Sequence, residues 1–236
     1  MNVSESCWNG AAMKVVVFGA TGMVGQSALQ ESLRDAQVEG VVSVVRAPSG
    51  KQHQKLREVV HKNFLDFTAI ENDLTGLDAC IYCLGVASTG ITEDAYARVT
   101  CEFTNAAAKT LLRLNPQMSF VFVSGAGADS TEKGNVMWAR IKGKAENALL
   151  AMPFRSVYVF RPAMIQPLDG IESKTPSYRM MYKVIAPFLS AARHFWPQYI
   201  TTTQELGRAL LAAAKNGTGN RVVEAKQIRD VLRKFS

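Results

Sequence analysis

The sequence predicts an α/β fold, a doubly wound parallel sheet with helices on both faces. Three observations predict it: short, solid apolar runs recur along the chain, stretches with helical spacing separate them, and a glycine-rich turn joins the first run to the first helical stretch. A strand covered on both faces reads as a continuous apolar run because its side chains meet helices on either side. The 236 residues are 47% hydrophobic and 20% charged. That is enough for one core burying about 70% of the extended surface and too apolar for intrinsic disorder. No apolar run approaches the ~20 residues of a membrane-spanning helix.

Residues Met1 to Ala12 carry no periodicity and are expected to be a flexible tail, with a single domain over 13–236. Lys14-Val-Val-Val-Phe18 is the first strand, and a helical pattern follows from Met23 to about Ala36. Val41-Val-Ser-Val-Val45 closes a strand-helix-strand unit of the length that a parallel crossover needs. Glu58–His61, Ala79–Leu84, Phe120–Val123 and Val157–Phe160 continue the strands, with helices over Glu93–Leu114 and Val136–Ala151 between the later ones. Arg161 to Pro176, rich in Pro, Asp, Gly and Ser, reads as a long loop. Helices over Ser177–His194 and Thr203–Lys215 and a short strand at Val222-Val223 complete the chain. Sheets of this type bind ligands at the carboxyl ends of their strands, so the segment from about 161 to 236 is expected to form a small irregular C-terminal lid and substrate wall.

The net charge of +7 is unevenly placed. Residues 1–118 hold 10 Lys/Arg against 12 Asp/Glu, and residues 119–236 hold 17 against 8. Such asymmetry suits a nucleic-acid face or a pocket for an anionic small molecule. No basic stripe with interleaved aromatics accompanies it, which argues against nucleic acid. Of the four cysteines, Cys7, Cys80, Cys83 and Cys101, the pair Cys80 and Cys83 has C-x-x-C spacing inside an apolar strand. Three residues apart on a strand, the two side chains point to opposite faces and cannot share a metal. They read as structural thiols. With no apolar signal segment in the polar stretch Met1 to Gly10, the expected compartment is the cytoplasm.

The strongest local motif is Gly19-Ala-Thr-Gly-Met-Val-Gly25, set between first strand and first helix. Gly19 makes the tight turn, Gly22 lets the backbone approach a pyrophosphate, and Gly25 lets helix and strand pack closely. Thr21 adds a hydroxyl, and Met23 and Val24 open a helix whose N-terminus favours anions. In this context the motif reads as a dinucleotide loop rather than a purely structural turn. Arg46 stands at the end of the second strand, where an acidic residue would hold a ribose 2′-hydroxyl. A cation there accommodates a 2′-phosphate instead, the alternative being an ordinary loop charge. Lys51 and Lys55 follow nearby. At later strand ends, Asp66 and Phe67 are positioned to bracket an adenine, the carboxylate accepting from its amino group and the ring covering its face. Leu84, Gly85 and Val86 form a close-approach turn, and Ser124-Gly-Ala-Gly127 exposes a hydroxyl.

These residues, together with Lys142 in Trp138-Ala-Arg-Ile-Lys142 and the pair Arg161-Pro162, fall in the order seen in the short-chain dehydrogenase/reductase superfamily. The chain resembles its atypical branch, and within it the Tat-interacting-protein-type oxidoreductases, sharing the stretch Ser124 to Asp129 and Lys142-Gly143. The resemblance covers residues 13–225. It implies a Rossmann-type fold, NADP(H) binding with NAD(H) second, and a catalytic Ser, Tyr and Lys. By position these are Ser124 and Lys142, with Trp138 where the tyrosine stands; Leu84 to Val86, Lys142, Arg161 and Pro162 join the cofactor-binding set. By the same analogy the helices near 93–114 and 136–151 would form the interface of a homo-oligomer.

Trp138 is the departure that matters. A tyrosine hydroxyl releases and returns a proton, whereas an indole N–H only donates a hydrogen bond. The general acid is therefore absent from its usual position. Tyr96, Tyr178, Tyr182, Tyr199 and His194 are possible substitutes that spacing does not select. Two functions follow as expectations: an NADP(H)-dependent oxidoreductase on a carbonyl or alcohol, or a catalytically impaired cofactor-binding sensor or regulatory protein.

Overall fold

The computed structural model describes residues 12–168 and 199–234. All but Ala12 of the tail expected over Met1 to Ala12, and the helix expected at Ser177–His194, lie outside the described residues. Seven strands form one sheet: β1 (Met13–Phe18), β2 (Val38–Val45), β3 (Leu56–Val60), β4 (Ala79–Tyr82), β5 (Ser119–Val123), β6 (Ser156–Arg161) and β9 (Val222–Glu224). Their order is β3-β2-β1-β4-β5-β6-β9, and every neighbouring pair is parallel. The order reverses beside β1, between β1 and β4, which opens a crevice at their carboxyl ends.

Alternation along the central strands splits the core in two. Val16, Phe18, Cys80, Tyr82, Phe120, Phe122 and Val157 face one layer, built with α2 (Glu93–Ala97), α3 (Phe103–Leu114) and α4 (Met137–Leu150). Met13, Val15, Val17, Ala79, Ile81, Val121 and Phe160 face the other, built with α1 (Met23–Arg34), α5 (Thr203–Asn216) and α6 (Ile228–Lys234). The solid apolar runs are thus strands buried on both sides. Cys80 and Cys83 go to opposite layers as a strand demands, and both are free thiols.

The long helix expected over Glu93–Leu114 is interrupted by a π turn, Arg98–Glu102, between α2 and α3. Thr92 caps its start, its hydroxyl accepting from Ala95 N at 3.3 Å. The loop expected over Arg161 to Pro176 is corrected in its described part, up to residue 168, the rest lying outside the described residues: β6 runs to Arg161, and a short strand, β7 (Met164–Gln166), pairs in parallel with β8 (Ile200–Thr202). α5 starts on a reciprocal cap. The Thr202 hydroxyl accepts from Glu205 N at 3.0 Å, and the Glu205 carboxylate accepts from Thr202 N at 2.9 Å. Tyr96 is a core residue, 3% exposed.

Candidate active site

A cavity of about 520 Å³ opens where the carboxyl ends of β1, β4 and β5 meet. Its wall combines Gly19, Thr21, Gly22, Met23 and Val24 from the first turn, Arg46 after β2, Cys83 to Ala87 after β4, and Val123, Ser124 and Lys142. Residues up to 123 positions apart in sequence converge because each sits at the same end of its own parallel strand or one helical step beyond it. Gly19 takes φ +76°, and a Cβ there would meet the backbone of Cys83 and Leu84. A Cβ on Gly25 would collide with the Gly19 carbonyl oxygen, so this glycine lets α1 begin flush against the turn. Gly22 N donates to Gly19 O at 2.9 Å, closing the turn. The N–H groups of Met23 and Val24 precede the first intrahelical bond, Gln26 N to Gly22 O, and are available to an anion. Gly85 has open space where a Cβ would be. This cradle fits a dinucleotide.

The chemical end of the cavity is built on α4 and the turn after β5. Lys142 Nζ donates to Val123 O at 3.3 Å and lies 5.0 Å from the centre of the Phe122 ring. Burial pulls its pKa down to about 8, against the opposing pull of Glu146, Cys101 and Cys83. The Ser124 hydroxyl donates to Oε1 of Glu146, one turn beyond Lys142 on α4. Glu146 is fully buried. It is neutralised by Arg161, whose Nε donates to both carboxylate oxygens at 3.1 Å and whose Nη2 donates to Oε2 as well. Arg161 Nη1 reaches Glu224 at 3.0 Å, and its Nη2 reaches Ser130 Oγ at 2.6 Å. A carboxylate without exposure demands such compensation.

A family model described as "NAD dependent epimerase/dehydratase family" matches residues 15–134, just over half of the chain. The chain belongs to that family. The matched stretch runs from β1 through the turn after β5 and ends before the helix that carries Trp138 and Lys142. Leucinostatins biosynthesis cluster protein T of Purpureocillium lilacinum is 26% identical over 140 residues, 58% of this chain and 51% of that protein, so the match spans about half of that relative's length. Protein FMP52, mitochondrial, of Meyerozyma guilliermondii is 21% identical over 203 residues, 86% of this chain and 85% of that one. Among solved structures, a short chain dehydrogenase family protein from Francisella tularensis superposes with a TM-score of 0.66 at 13% identity, covering 93% of this chain and 100% of that one. The fold is therefore the Rossmann-type α/β fold that the resemblance implies, in a family of short-chain dehydrogenase/reductase type.

Within this family member the cavity wall gathers most of the residues singled out by the sequence, but not all. Phe67 is corrected: it is 1% exposed, packed edge-on to Phe18 and Phe64 and tilted against His61, so its ring has no face to offer an adenine. Asp66 is off the cavity wall. Its carboxylate accepts from Thr68 N at 2.9 Å and Thr68 Oγ1 at 2.6 Å, which lowers its pKa. Arg161 and Pro162 are also off the wall. Arg161 serves the buried Glu146, and the Pro162 carbonyl accepts from Ala126 N at 2.9 Å, bracing the turn after β5. Trp138 shares a helix with Lys142, but its ring packs over Gly125 and Gly127 rather than on the cavity wall. Tyr199 is half exposed and off the wall, while Tyr178, Tyr182 and His194 lie outside the described residues. The sequence reading does not single out Glu146. Its one local signal is a lone acid one turn after Lys142, and the arginine that gives it meaning lies on another element.

Proposed function

We propose that this chain is an NADP(H)-binding oxidoreductase of the short-chain type, acting on a carbonyl or the corresponding alcohol. The observation that carries this is a single cavity whose wall joins a dinucleotide cradle to a lysine and a serine. In this reading the first turn and the N–H groups of Met23 and Val24 hold the diphosphate, Lys142 holds a ribose hydroxyl, and Leu84 to Val86 pass close to the cofactor. Arg46 supports the preference for NADP(H): it is exposed on the wall and has no ion pair among the described residues. Hydride is what a bound nicotinamide supplies to such a site. The free thiols Cys80, Cys83 and Cys101 suit a reducing compartment such as the cytoplasm.

Thermal unfolding with NADPH or NADH tests this reading. Ligand at a hundred times its Kd stabilises by about 2.7 kcal/mol, worth roughly 5–10 °C for a domain of this size. NADPH is expected to give the larger shift, and Arg46→Asp to reverse the order. No shift with either cofactor would sink the proposal. Trp138 favours a second reading, a cofactor-binding sensor without turnover, which predicts the same thermal shifts and no NADPH consumption.

A further inference from the structure

We propose that Lys142 is itself the acid–base residue of this site, its ε-ammonium doing the work that position 138 cannot. The proposal rests on the oxidoreductase reading above and names its proton donor. It follows from what the wall offers. Among the wall residues described, Arg46, Cys83 and Lys142 carry titratable side chains. A guanidinium does not release its proton in proteins. The Cys83 thiol is pushed up to about 12 by burial. The Ser124 hydroxyl is turned towards Glu146, so it presents lone pairs rather than a proton to the cavity. The Trp138 ring is committed to the glycine turn.

Lys142 meets the requirement on geometry first. It lies on the wall, next to Ser124, with one of its three N–H bonds spent on Val123 O. Two are left, one for a ribose hydroxyl and one for a substrate oxygen. The groups that face it are Glu146 from its own helix, Cys101 from the π turn, Cys83 from the end of β4 and the Phe122 ring from β5. Glu146, Cys101 and Cys83 hold the ammonium's pKa up, but its burial outweighs them and brings it down to about 8, close enough to neutral for the proton exchange that general acid–base catalysis needs.

The step balances simply. As hydride reaches the carbonyl carbon, the C=O π pair moves onto oxygen, and that oxygen takes a proton from Lys142 Nζ. The N–H electron pair stays on nitrogen as a neutral amine, which regains a proton from solvent through the cavity mouth. The reverse reaction starts from the amine. Reduction is therefore favoured below about pH 8 and oxidation above it.

Two measurements test the proposal. The first needs no turnover: pyridoxal is added across a pH series, trapped with borohydride, and its attachment to the Lys142 peptide is quantified by mass spectrometry. Half-maximal labelling near pH 8 supports the proposal; a midpoint near 10, as for surface lysines, overturns it. The second uses NADPH consumption with phenanthrenequinone as the carbonyl probe, alongside separately measured NADPH binding. Lys142→Arg keeps charge and donors but cannot exchange a proton, so it should bind NADPH within about threefold and lose at least a hundredfold in turnover. Undiminished turnover in Lys142→Arg overturns the proposal. So does an unmodified protein that binds NADPH without turnover, with or without activity in Trp138→Tyr. Failure to bind NADPH at all would instead strike the oxidoreductase reading, and the labelling midpoint would still report on Lys142.

Discussion

At the scale of single residues, Glu146 organises more of the site than any residue on the cavity wall. Its carboxylate accepts from the Ser124 hydroxyl on one side and from the Arg161 guanidinium on the other, with no exposure of its own. Breaking such a pair by removing one charge costs more than the pair itself contributes, because the partner is left buried and uncompensated. Glu146→Gln is therefore expected to destabilise the protein by about 3 kcal/mol in urea unfolding. The loss should persist at high salt, since buried charges are weakly screened. A loss below about 0.5 kcal/mol would mean that Glu224 alone satisfies Arg161.

At the scale of elements, the site depends on how closely α4 lies against the turn after β5. A Cβ at Gly143 would collide with the Asp129 carbonyl oxygen. Asp129 in turn holds that turn's continuation, its carboxylate accepting from Thr131 N at 2.9 Å and Gly134 N at 2.7 Å. Gly143→Ala must push helix and turn apart, separating Ser124 from Glu146 and Lys142 from Val123. The expected result is a stability loss of about 2 kcal/mol or more, together with weaker NADPH binding in a fluorescence titration. A variant as stable as the parent would show that the helix shifts without cost. The same scale explains what is legible in the sequence. β1, β4, β5 and β6 announce themselves because each is covered on both sides, and the glycine turn because Gly19 and Gly25 answer steric demands at a recognisable spacing. The three-residue strands β7 and β8 are too short to show a period, and the π turn leaves no mark on an apolar pattern that simply continues through it. Phe67 misleads because it does not end a strand: β3 stops at Val60, and Phe67 follows seven residues later, just before a short helical turn over Thr68–Leu74, with its ring in the core. Arg161 misleads because its carboxylate partner lies on another element.

At the scale of the whole molecule, Lys142 ties the site to stability. Its pKa lies at about 8 in the folded chain against 10.5 unperturbed. Between these values the unfolded chain binds more protons, so folding stability rises with pH across this window. Below about pH 8 the cost of burying the ammonium is present in full. Measured from pH 7.5 to 10.5, the parent should gain stability relative to Lys142→Met, by up to about 3 kcal/mol. Parallel stability curves for the two proteins would refute the depressed pKa.

The strand order has a further consequence, for the chain as it is being made. β2 and β3 add successively to one side of β1, and β4, β5, β6 and β9 to the other, so every strand leaving the ribosome finds its neighbour already in place. The covering layers do not keep the same timetable. The face that carries Met13, Val15 and Val17 is sealed by α1 together with α5, which packs against α1 and across β4 and β5. α5 begins only at Thr203. From the end of β6 at Arg161 until Thr203, a sheet lacking only β9 stands with one apolar side partly bare, and the nascent chain must be shielded there until α5 emerges.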